Sequence, residues 1–231
     1  MVLLSLLLVG CGGDGAVSQA TPTPTPTAEQ ILAKASQRLT ETEAVHFDLD
    51  VEGETFVDAN RTIQLLAAKG DLARPDRVST EFTARALRAA TVTIKLITIG
   101  ERSWTTNLLT GAWGPAQTEF QYDPGVLFDD QEGIGPVMNR AGDVRQLEDE
   151  EINERQTYHV EARVGEEVIG PVTAYTMTGA PVRVNLWIDR ETGDLLRARL
   201  AQEPGEGQAS PATWTLNLSG HGERVSIEPP V

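Results

Sequence analysis

The chain has 231 residues, 40% hydrophobic and 23% charged, an ordinary balance for a globular protein with one sizeable domain. Its formal net charge of −15 and pI near 4.6 argue against a nucleic-acid partner, which needs clustered Lys and Arg, and against electrostatic docking on anionic lipid. A single cysteine, Cys11, excludes an intrachain disulfide framework and any C-x-x-C metal or redox site.

The chain opens on a compact apolar stretch, Val2 to Val9, which runs into Cys11 and is followed at once by glycines. A helix needs about 20 apolar residues to cross a bilayer, so this stretch is too short to span one and instead suits the core of a secretory signal. Leu8-Val9-Gly10-Cys11 fits the lipobox of bacterial lipoproteins: an aliphatic residue, a small or β-branched one, a small one, then cysteine. Small residues let a peptidase reach the bond before the cysteine, whose thiol takes a diacylglyceryl group before the cleaved cysteine becomes the new N-terminus. Cys11 is therefore the expected lipidation site and residues 1–10 the expected signal peptide. Two acyl chains, stabilised by about 0.8 kcal/mol per buried CH2, anchor durably where one is marginal. Such signals ordinarily open with Lys or Arg, and none occurs before Lys34, so the true signal is expected to be longer. Residues 11–28 continue as GGDGAVSQATPTPTPTA after the cysteine, a composition that builds no core. It predicts a disordered or extended tether, which at ~3.1 Å per residue reaches about 50 Å.

A single folded domain is expected over 29–231. Thr27 is placed to cap a helix, with Glu29 and Gln30 in its first turn, and Ile31, Leu32, Ala35 and Leu39 share one face up to about Glu43. The period then changes to two. Val45, Phe47, Leu49 and Val51 alternate with His46, Asp48, Asp50 and Glu52, as in a strand with one buried and one wet face. TIQLLAAKGDL and RVSTEFTA flank a turn at Pro75-Asp76, and TVTIKLITIG sets Val92, Ile94 and Leu96 on one face before a turn at Gly100 and ERSWTTN. One or two short helices interrupt the strands in YDPGVLFDDQEGIGPVMNRAGDV, around Val126-Leu127-Phe128 and then Ile134, Val137 and Met138. QTYHVEARV alternates again, and Gly170 to Pro181 reads as a second weak helix or loop. VRVNLWID and LLRARLAQ are joined by the glycine hairpin Arg190–Asp194, and TWTLNLS and RVSIE are the last expected strands.

Nine or ten strands with few crossover helices make an α+β fold around a large antiparallel meander. No GxSxG elbow, phosphate-binding glycine loop or HExxH is present, and no catalytic or metal residue is assigned. His46, His159 and His221 stand isolated. Glu148–Glu151 and Asp129–Glu132 read as solvated turns without calcium-loop spacing, and the tryptophans at 104, 113, 187 and 214 read as sheet packing.

Several segments, in order, resemble the LppX/LprG family of actinobacterial lipoproteins: AVHFDLDVEG, GDLARPDRVST, WTTNLLTGAWGPA, YDPGVLFDDQEGIGPVMNR, TYHVEARV, NLWIDRETGDLLRARL and LNLSGHGERVSIEPPV. That domain is similar to the LolA/LolB lipoprotein-carrier fold. The resemblance implies a strongly curved antiparallel half-barrel wrapped over a few helices, with a hydrophobic cavity between them that holds acyl chains of lipids or glycolipids. It implies a carrier or chaperone anchored to the cell membrane from outside, with no enzymatic activity, no cofactor, and an envelope transporter or acceptor protein as a possible partner. The candidate cavity lining is Val45, Phe47, Leu49 and Val51 from the first strand, Val92, Ile94 and Leu96 from the fourth, and Leu127, Ile134, Val137 and Met138 from the interrupting helices. The alternative is a structural or sensory envelope lipoprotein on the same scaffold, its core filled and its partner a protein.

Overall fold

The computed structural model describes residues 25–58, 60–86, 89–116, 124–204 and 210–231; the proposed lipidation site Cys11, the signal and most of the tether lie outside them. The first helix, α1, runs Ala28–Glu41. Thr27 closes a capping box: the Gln30 amide donates to Thr27 Oγ1 at 3.3 Å, and the Thr27 amide donates to Gln30 Oε1 at 2.9 Å. Ile31, Leu32, Ala35 and Leu39 are buried on one face, as the spacing predicts.

Twelve strands follow among the described residues, β1 Ala44–Glu52, β2 Ile63–Ala73, β3 Arg77–Ala86, β4 Ala90–Ile99, β5 Arg102–Thr106, β6 Trp113–Pro115, β7 Gly142–Gln146, β8 Glu150–Ile152, β9 Arg155–Val164, β10 Val182–Asp189, β11 Leu195–Gln202 and β12 Thr213–Ser219. They form one curved, unclosed antiparallel sheet in the order β6-β5-β4-β3-β2-β1-β12-β11-β10-β9-β7, with β8 beside β7 on β9. The halves meet at the seam between the first and last strands, where Phe47 faces Leu218 and Leu49 faces Leu216. Alternation survives in the structure: His46, Asp48, Asp50 and Glu52 are exposed, while Val45, Leu49 and Val51 are buried. In β2 a bulge between Leu65 and Ala67 resets the phase, so that Leu65, Ala68 and Leu72 all turn inward. Gly70 sits between Phe47 of β1 and Thr80 of β3, and a Cβ there would lie 2.0 Å from the Ser79 carbonyl oxygen. Only glycine lets the sheet bend that tightly at this point.

The strand count exceeds the expected nine or ten because β6 and β8 are three residues each, too short to carry a period. RVSIE is the reverse case. It joins no ladder, because β1, β2 and β12 are already paired on both sides. Instead it crosses the outer face, burying Ile227 against Ala44 and Ala73 while Arg77 donates to the Ile227 carbonyl at 2.8 Å. The interrupting segment holds a 3-10 turn, Pro124–Phe128, and helix α2, Ile134–Asn139. The region after β9 holds helix α3, Glu166–Ile169, and a 3-10 turn at Pro171–Thr173.

Candidate lipid cavity

The concave face is covered unevenly. Over β9 to β11, Val160, Val182 and Ile188 pack with Ile31, Leu32 and Ala35 of α1 in one buried cluster, while Val164 and Val184 of the same strands also border the cavity. Among the described residues no helix of comparable length covers β1 to β4; α2 has 6 residues against 14 in α1. Large inward side chains on this side are left only half-buried, among them Phe47 on β1, Phe82 on β3, and Trp214 and Leu216 on the neighbouring β12. The space between is a cavity of about 1190 Å³. That is larger than the roughly 300–1,000 Å³ of sites for drug-sized ligands.

Nine of the sequence-predicted residues border it: Val45, Phe47 and Leu49 on β1, Ile94 and Leu96 on β4, Leu127 on the 3-10 turn, and Ile134, Val137 and Met138 on α2. Val51 and Val92 share the inward face but lie outside the lining. Val51 pairs with Trp214 and is buried in a smaller cluster with Leu49, Leu65 and Ala68, while Val92 faces Ala84 two pairs beyond Ile94. Sequence reasoning missed Leu65, Ala68 and Leu72 on β2, Phe82 on β3, and Trp214 and Leu216 on β12. Period two was a usable signal on β3 and β12; on β2 the bulge hid it.

The roof is tied to α1. The half-buried Arg74 guanidinium donates to the carbonyls of Leu39 at 3.1 Å and Thr42 at 2.9 Å, completing the end of α1, and lies 4.3 Å over the Phe128 ring. Burial pulls the Arg74 pKa down, against the opposing pull of Asp130 and Glu43. Asn139 donates to Ser36 Oγ at 3.0 Å, and Gly135 packs so close that a Cβ would meet the same Ser36 oxygen at 3.0 Å. The same last turn of α1 is also held by charge. Arg38 Nε reaches Asp194 at 2.7 Å, and Arg155 spans Asp189 at 2.7 Å and Asp194 at 3.4 Å. Burial works to raise both carboxyls, but bonds from Thr192, Arg155 and Arg38 outweigh it and hold them below the ordinary aspartate range. Helix α1 is thus a fixed strut, and the shorter roof elements cover the hollow.

The rim is polar. Its exposed lining residues include Glu54, Arg61, Tyr175, Thr178 and Ser210. The Glu54 amide donates to the Ser210 carbonyl at 3.3 Å, and Gln202 links Thr178 to Ala212 through bonds of 2.5 Å and 2.9 Å, so the three loops meet. Among the described residues three charged side chains line the cavity, Glu54, Asp58 and Arg61. Arg61 is already engaged, 2.9 Å from Glu54 and stacked 4.3 Å over Phe56. Asp58 accepts from the amides of Thr62 and Ile63. Burial works to raise its pKa, yet those bonds hold it below the ordinary range. Arg61, Ala174 and Tyr175, with φ of 54°, 48° and 55°, are left-handed without being glycine. Such strain collects at functional sites.

The remaining residues singled out from the sequence lie elsewhere. His46 bonds Asp71 on the exposed outer face, and His159 stacks on Trp187 with ring centroids 4.5 Å apart and bonds Asn185. Among the described residues no group of three or more His, Cys, Asp or Glu is arranged to hold a metal ion, and no helix is long and apolar enough to cross a membrane.

The model of a family described as LppX_LprAFG lipoprotein matches residues 27–227. The Lipoarabinomannan carrier protein LprG of Mycobacterium bovis is 23% identical over 233 residues, covering 99% of this chain and 92% of that protein. Its namesake in Mycolicibacterium hassiacum is 24% identical over 109 residues, 47% of this chain and 45% of that protein. The crystal structure of LprF from Mycobacterium bovis superposes with a TM-score of 0.70 at 20% identity, covering 90% of this chain and 99% of that one. For the lipoprotein LppX of Mycobacterium tuberculosis the TM-score is 0.59 at 14% identity, with 86% and 98% covered. At these identities the structural likeness establishes the fold.

Proposed function

This chain belongs to the LppX_LprAFG lipoprotein family, and from that premise we propose that it is a lipid carrier or chaperone of the cell envelope. Its hollow takes the acyl chains of a lipid or glycolipid, and an acylated Cys11 holds the domain on the outer side of the cell membrane. The relatives named as lipoarabinomannan carriers support a glycolipid as one ligand class.

The observation that carries this reading is the 1190 Å³ hollow bounded by half-buried Phe47, Phe82, Trp214 and Leu216. Apolar side chains facing empty space forfeit the dispersion contacts a packed core would supply. A ligand made of methylene groups restores them, and each CH2 leaving water adds about 0.8 kcal/mol. The head group stays among the hydroxyls and charges of the rim. Catalysis has no part in this scheme. Loading or unloading falls to an envelope transporter or acceptor protein, and release requires the short roof that includes α2 to part from the sheet.

The Cys11→Ala chain, purified without detergent, is extracted with organic solvent, and the extract is weighed by mass spectrometry. About one acyl lipid per chain is expected. Repeatedly empty extracts, with no uptake of a fluorescent acyl probe, would reject the carrier and leave a filled scaffold that serves a protein partner.

A further inference from the structure

Four large hydrophobic residues are exposed among the described residues, and two of them are neighbours: Leu108 at 45% and Leu109 at 96%, on the tip of the β5–β6 hairpin. The tip is closed by its own hydrogen bonds. Asn107 Oδ1 accepts from the amides of Leu109 at 2.9 Å and Thr110 at 3.0 Å, while the Asn107 amide donates to Ala112 at 2.8 Å and Gly111 takes φ 69°. The leucines are therefore presented by a hydrogen-bonded turn and stand clear of the domain.

Charge sets this hairpin apart. Between Arg102 and Glu119 no charged residue occurs, in a chain that is 23% charged with a net −15. Trp104 pairs with Pro115 and Trp113 with Thr106, so both indoles stand on the same face of the ribbon, each only half-buried. They share that outer face with Ile97, because Thr105, one residue on, points into the cavity. Tryptophan flanking exposed aliphatic side chains is the pattern that settles at a membrane interface, indoles among head groups and leucines among acyl chains. A protein partner would be met by a mixed polar rim around such leucines; here the one charged group of the hairpin, the Arg102 guanidinium, lies at its base, 5.4 Å over the Trp104 ring, and from Ser103 to the tip the strip has hydroxyls and amides only.

We propose that the β5–β6 hairpin tip is a membrane-insertion point, dipping Leu108 and Leu109 into the bilayer surface through the hydrophobic effect alone. It docks the domain next to the wall of its own cavity, since Thr105 of the same hairpin lines that wall. The proposal does not depend on what the cavity holds.

The test exploits the absence of any cysteine other than Cys11. In the full chain carrying Cys11→Ala, Thr110→Cys is labelled with a polarity-sensitive fluorophore and mixed with neutral phosphatidylcholine vesicles. Expected are a blue shift and a rise in emission that persist in high salt. The double substitution Leu108→Asp with Leu109→Asp should weaken this partition by on the order of tenfold per leucine. Leu109→Ser alone, at a site with almost nothing to lose on folding, should weaken it about tenfold. The proposal is overturned by an unchanged spectrum, by a shift that needs anionic lipid or vanishes in salt, or by a shift that survives the double substitution. It is equally overturned if the leucine variants abolish self-association in sedimentation equilibrium without changing the response to vesicles, which would make the tip a contact between copies of the chain.

Discussion

Phe47→Ala separates a hollow from a filled core. Truncating a phenylalanine in a packed interior costs about 3–5 kcal/mol, the lost transfer energy plus that of the new void. Phe47 is only half-buried: one side rests on β1 and β2, where it pairs with Gly70, and the other borders the cavity. Half of the transfer energy and almost none of the void energy are then at stake, so the unliganded protein should lose only about 1 kcal/mol. Ile188→Ala is the control. That side chain is 1% exposed in the cluster under α1 and should cost about 2–5 kcal/mol. Binding should show the opposite order. An acyl chain that packs on the Phe47 ring loses about 1–2 kcal/mol of contact, a five- to thirtyfold weaker Kd, whereas Ile188→Ala leaves it unchanged. Urea unfolding of the delipidated chain measures the first quantity, and titration with a fluorescent fatty acid the second. A Phe47→Ala loss above about 3 kcal/mol, with the probe's affinity intact, would show that the ring is packed on protein and that the hollow reasoning fails.

Gly70→Ala should destabilise the sheet by about 1–3 kcal/mol, roughly a 5 °C fall in Tm by calorimetry, because its Cβ meets backbone that cannot rotate away; an unchanged Tm would mean the sheet does not need that bend. Cys11→Ala should leave the domain folded and release it from the membrane fraction; retention in washed membranes would count against lipidation. His221 bonds the Leu195 carbonyl at 3.0 Å beside Asp194, and burial lowers its pKa below the ordinary 6.5 despite that carboxylate. The folded state therefore binds fewer protons than the unfolded one as pH falls below 6.5, so stability is full above that value and declines beneath it. Asp189 and Asp194, held below 3.8, add a second loss at still lower pH. In thermal scans from pH ~8 to pH ~3, His221→Gln should abolish the upper decline and keep the lower one; an identical upper arm in the variant would exclude His221 as its source.

Faces were legible from one dimension, because period two and period 3.6 are local properties of side-chain direction. Val45, Phe47 and Leu49 turn inward as their spacing requires, and Thr27 caps α1 as its chemistry requires. The short helices around Leu127 and Val137 were equally readable from a proline after aspartate and an apolar run between glycines. Beyond the reach of spacing were β2's bulge, the outer path of Ile227, and which inward positions border space. Val51 and Phe47 obey the same alternation, yet one is sealed beside Trp214 and the other faces the void. Alternation states which way a side chain points. What stands opposite depends on helix lengths and on where α1 is clamped by Arg38 and Arg74, residues far apart in sequence from Asp194 and Phe128. A cavity is a property of two surfaces that fail to meet, and that failure exists only once the chain has been folded in three dimensions.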